Sequence, residues 1–61
     1  MATYRFYFLN AEDHIVAVAK NADCASDADA GFVAVWLLSE QEDHPGIEIW
    51  ESERMVSRHY R

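Results

Sequence analysis

The chain has 61 residues, of which 51% are apolar and 26% charged, and its formal net charge is −6. This composition fits one folded domain over residues 1–61 and excludes a disordered chain. It also argues against nucleic-acid binding: residues 21–53 carry nine acids (Asp23, Asp27, Asp29, Glu40, Glu42, Asp43, Glu48, Glu51, Glu53) and no Lys or Arg, where a phosphate backbone needs a basic face.

A domain this short buries only about 60% of the surface its unfolded chain exposes, so a disulfide, a metal or a partner subunit is the usual supplement. Cys24 is the single cysteine, which excludes an internal disulfide. No apolar stretch approaches the ~20 residues of a membrane span. Met-Ala-Thr-Tyr-Arg-Phe at the start lacks the pattern of a signal peptide. A cytoplasmic, acidic protein with no membrane contact is the expectation.

Thr3 to Leu9 is rich in aromatic and β-branched residues and reads as a strand, with Tyr4, Phe6 and Phe8 on one face and Arg5, Tyr7 and Leu9 on the other. Asn10 to His14 is a polar turn, for which Asn10 tolerates left-handed backbone angles. Ile15 to about Ala22 reads as a second strand, paired with the first. Ser26 is the expected N-cap of a helix, with Asp29 placed to return a bond in a capping box. Asp27 and Asp29 suit the positive end of the helix dipole. Gly31 costs the helix about 1 kcal/mol relative to Ala, which burial must offset. The helix should end near Asp43, because Pro45 disfavours helical angles at His44. Gly46 to Glu51 and Met55 to about Tyr60 form a second hairpin around Ser52-Glu53. Trp50 facing Met55 would set Ile49 opposite Val56. The basic tail made by Arg54, Arg58 and Arg61 reads as solvated, offsetting nearby acids.

The expected class is therefore α+β, in the order ββαββ. Right-handed crossover of the helix places the first strand centrally. The sheet is then antiparallel, in order 2-1-3-4, with the helix on one face.

The run Ala30 to Leu38 is apolar on nearly every side of this helix, unlike an ordinary surface helix. At about 100° per residue, Ala30, Val33, Ala34, Leu37, Leu38 and Gln41 share one side, which is assigned to the core. Phe32, Val35 and Trp36 fall opposite. Left outside, they form a patch of the size that marks an interaction site. With the two sides reversed, Ala30, Ala34 and the leucines would face out, and an apolar surface would still remain. Self-association as a homodimer, or docking of another protein, is the expected use. The face of the sheet away from the helix groups Arg5, Tyr7, Glu48, Trp50, Met55 and His59 and is a second candidate, for a small ligand.

Glu-Asp-His occurs twice, at residues 12–14 and 42–44. The topology brings His14, His44 and His59 to one end of the sheet, a ligand set that would suit zinc, although no spacing forms a compact metal motif. Cys24 stands just before the N-cap, where a helix terminus can lower a thiol's pKa. There is no phosphate loop, nucleophile elbow or zincin motif. No enzyme activity and no cofactor are expected. A non-enzymatic interaction module is the leading reading, and a small-ligand or divalent-metal module the alternative.

Tyr-Arg-Phe-Tyr-Phe-Leu (4–9), His-Ile-Val-Ala (14–17) and Ile-Glu-Ile-Trp…Arg-Met-Val-Ser-Arg (47–58) resemble segments of short bacterial proteins, mostly alphaproteobacterial, that have no assigned activity. The resemblance covers most of the chain and implies a ββαββ cytoplasmic protein. It carries over no catalytic residue. Gly31, Phe32 and Trp36 depart from the Ala/Leu-rich helix of that group.

Overall fold

The computed structural model describes residues 2–61. Four strands and one helix follow in the order β1 (Ala2–Leu9), β2 (Ile15–Cys24), α1 (Asp27–Glu40), β3 (Gly46–Glu51) and β4 (Arg54–Tyr60). They form one antiparallel sheet in the order β2-β1-β3-β4, as the pattern predicts. β1 begins one residue earlier than expected, β2 runs two residues further, and β4 starts at Arg54.

The first turn is built by a side chain. Asn10 Oδ1 accepts from the amides of Glu12 (2.8 Å) and His14 (3.0 Å), an Asx turn. The left-handed residue is Asp13, at φ 64°, and not Asn10. Ser52, at φ 54°, plays that part in the second hairpin.

The core lies between the sheet and α1. Phe6, Ile47, Ile49, Ala30 and Ala34 are fully buried, with Tyr4, Phe8, Cys24, Leu37 and Leu38 around them. Alternation along β1 and β3 sends Tyr4, Phe6, Phe8, Ile47 and Ile49 to one face, and the small residues Ala30 and Ala34 let the helix come close. Loss of the Phe6 ring would cost about 3–5 kcal/mol.

Ser26 caps α1 from an extended conformation, its Oγ accepting from Asp29 N at 3.2 Å. The return bond from the Asp29 carboxylate is not formed among the described residues. The helix stops at Glu40, three residues short of the expected Asp43. At Gln41 the backbone leaves helical angles, with its N–H turned to Leu38 O at 3.3 Å. Gln41, expected on the inner side, is exposed for this reason.

The helix has no basic residue in its last turn. Arg61 supplies the missing charge from the other end of the chain, donating to the carbonyls of Leu38, Gln41 and His44, the last at 2.7 Å. At the opposite end, Arg54 grips Asp27 with two bonds of 3.1 Å, and Tyr4 Oη donates to Asp27 at 2.7 Å. The supposed solvated tail is thus a strand that starts beside the N-terminus of α1 and is followed by an arginine at its C-terminus.

Register irregularities decide which face later residues share. β4 carries one, between Ile49 and Trp50 of its partner: Trp50 pairs with Met55, but Ile49 pairs with Ser57. The extra residue is Val56, and such a bulge reverses every side chain after it. His59 consequently pairs with Ile47 and lies on the helix side, not on the open face as expected. Leu9 and Glu48 are buried although alternation puts them on the face away from α1, so that face is not simply solvated.

Candidate functional site

The two sides of α1 separate as its periodicity predicts. Ala30, Ala34, Leu37 and Leu38 are buried, whereas Phe32, Val35 and Trp36 are 76%, 56% and 54% exposed. Phe32 stands at the centre of this outer face. Trp36 lies on its β2 shoulder, where the Lys20 ammonium is 6.0 Å from the indole centroid, a cation–π distance.

Val35 lies on the other shoulder, over a groove of about 450 Å³ between α1 and β4. Asp27, Ala28, Gly31, Phe32 and Val35 form one wall; Val56, Ser57 and His59 form the other. Gly31 lies opposite the His59 ring across this groove, and a Cβ there would meet the ring at 3.9 Å, an ordinary contact. Inside it, Ser57 Oγ and His59 Nε2 are 3.1 Å apart and satisfy each other. Periodicity located Phe32 and Val35. It missed Val56, Ser57 and His59, because a bulge has no local signature in this strand.

The open face of the sheet is a closed network. Glu48 is only 3% exposed. Its carboxylate accepts from Trp50 Nε1 at 2.6 Å and from Arg58 Nε at 2.5 Å, and this bond raises the Arg58 pKa above the ordinary guanidinium value. Arg5 donates to Ser52 O and lies 5.9 Å from the Tyr7 ring centroid. Arg5, Tyr7, Glu48 and Trp50 are therefore assembled on one face, as expected, but Glu48, Trp50 and Arg5 spend their polar groups on one another and on backbone.

The three histidines are not brought together. His14 is exposed in the β1–β2 turn, 3.8 Å from Glu12. His44 stacks on Phe8, with centroids 4.4 Å apart and planes at 12°, and covers the end of the core. His59 lies in the groove under α1. Among the described residues no group of three or more His, Cys, Asp or Glu side chains is placed to hold a metal, so the expected His14, His44, His59 ligand set is not formed. Cys24 is buried. Burial, then Asp29 and Asp23, push its thiol pKa up, opposite to the activating effect that a helix terminus could have had.

A carboxylate–phenol–guanidinium group joins the N-terminus of α1 to the sheet. Hydrogen bonds from Arg54 and then Tyr4 hold the Asp27 carboxyl below its ordinary pKa. The bond to Asp27, with burial, pushes the Tyr4 phenol up to about 12. These groups fasten the helix. No helix of the described residues is long and apolar enough to cross a membrane.

No protein-family model, no curated protein and no solved structure matches this chain.

Proposed function

We propose that this protein is a small, non-enzymatic interaction module that associates with itself through the outer face of α1. The observation that carries this reading is the exposure of Phe32, Val35 and Trp36 side by side on a helix whose opposite side is buried. Contiguous exposed patches of large apolar side chains lower a small domain's solubility and mark contact surfaces. A 61-residue chain with no disulfide gains from a partner subunit the burial it lacks alone. The single free thiol supports a reducing, cytoplasmic setting.

The alternative, a module for a small ligand or divalent ion, has weaker support. The polar groups of Arg5, Glu48 and Trp50 on the open face are already paired, and the histidines stand apart.

Sedimentation equilibrium between 1 µM and 1 mM tests the proposal (~ranges set by ordinary dimer affinities). The wild-type chain should sediment as a dimer at tens of micromolar. Phe32→Glu and Val35→Glu should remain monomeric and folded. A wild-type monomer at millimolar concentration would sink the proposal.

A further inference from the structure

Resting on the self-association just proposed, we infer that the partner is a second copy seated on the α1–β4 side, with the free edges of the two β4 strands paired antiparallel. The helix patch alone is too small for a dimer. At their observed exposures Phe32, Val35 and Trp36 offer roughly 350 Å², given ~150–250 Å² for a whole large aromatic. A stable interface takes about 800 Å² from each partner. The surface that makes up the difference has to be continuous with Phe32, and two edges of the sheet compete for that part.

The β2 side exposes Ile15, Val16 and Val18, but its edge is guarded against pairing. Lys20 sits there against Trp36, and the strand has two register irregularities. A lysine and bulges are devices that keep edges from pairing.

The β4 side is open. β4 pairs only with β3, and beyond Val56 its register is regular from Ser57 to Tyr60. The charges that would repel a copy are neutralised within the chain. Arg54 is held by Asp27 and Glu51, and Arg58 by Glu48; Ser57 and His59 are bonded to each other. What β4 still presents outward is its unpaired backbone, which an extended strand satisfies.

The surface is also self-complementary, as a two-fold contact requires. The most exposed aromatic, Phe32, stands directly beside a groove that Gly31 and Val56 line from opposite walls. Antiparallel β4 pairing makes one eight-stranded sheet with both α1 helices on the same side. Phe32 and Val35 of each copy then face the groove and helix of the other. On the opposite side the junction covers the exposed Met55.

Hydrogen exchange read by mass spectrometry tests this on the full chain, with sedimentation run on the same samples. Between a dilution at which the protein is monomeric and a concentration at which it is dimeric, peptides covering Arg54–Tyr60 should slow at least tenfold, while those of Ile15–Cys24 stay unchanged. Phe32→Glu at the higher concentration should exchange like the dilute wild type. A dimer that slows exchange in β2, or on α1 alone, overturns the β4 pairing and leaves self-association standing. A chain that never dimerises removes the reading beneath it, and this inference with it.

Discussion

Glu48 and Arg58 face each other across β3 and β4, yet they are not equivalent. The Glu48 side chain is 4% exposed and that of Arg58 43%. Glu48→Gln keeps an oxygen for Trp50 Nε1 but turns an amide N–H toward Arg58 Nε, donor against donor. One charge-assisted hydrogen bond is lost, which contributes about 1.5–3 kcal/mol. The abandoned guanidinium can turn to water, which holds the cost near the lower end, about 2 kcal/mol. For a domain of this size that lowers Tm by about 8–16 °C. Arg58→Met should be the worse variant, because it strands a buried carboxylate that cannot reach water. Joining Glu48→Gln to Arg58→Met should recover stability relative to Arg58→Met alone. Urea unfolding followed by tryptophan fluorescence, at one fixed protein concentration, measures all three. If Glu48→Gln proves as costly as Arg58→Met, or both unfold with the wild type, the reasoning from unequal burial is wrong.

Gly31→Ala should stabilise the protein by about 0.5–1 kcal/mol, since the added methyl meets only ordinary contact with His59 and the helix gains a better former; a loss in a thermal melt would count against this. Stability should fall at both extremes of pH. The depressed Asp27 pKa contributes stability above the ordinary aspartate range that disappears as pH drops through the folded value. The raised Tyr4 pKa contributes stability that is complete below the unfolded value near 10 and is lost as pH climbs toward about 12. Denaturant midpoints across pH should show both limbs, and Asp27→Asn should flatten each. Arg61→Ala frees the last carbonyls of α1; a loss of about 1 kcal/mol and faster amide exchange in the final helical turn are expected, and unchanged exchange there would remove the capping role.

Much of this architecture is legible along the chain. Period-two patterning in residues 4–8 defines the core face of β1, Ser26 announces the helix start, and a wheel drawn over residues 30–38 sorts the two sides of α1. Those signals are local, so neighbours in sequence suffice to read them. Strand order also follows, because an antiparallel hairpin, a crossover helix and a second hairpin leave few arrangements.

Three matters were decided only in tertiary structure. The bulge at Val56 moved His59 from the open face into the groove; one unpaired residue inverts all that follow it, and nothing around residues 55–57 announces it. The roles of Arg54 and Arg61 depend on partners far along the chain, at Asp27 and at the carbonyls of Leu38, Gln41 and His44. In the sequence they look like a basic tail. Glu48 reads as a ligand group until its neighbours Trp50 and Arg58 are seen to occupy it. Pattern states which way a side chain points when the register is regular. Which distant group it meets there, and whether that group is already taken, is a property of the assembled sheet and helix.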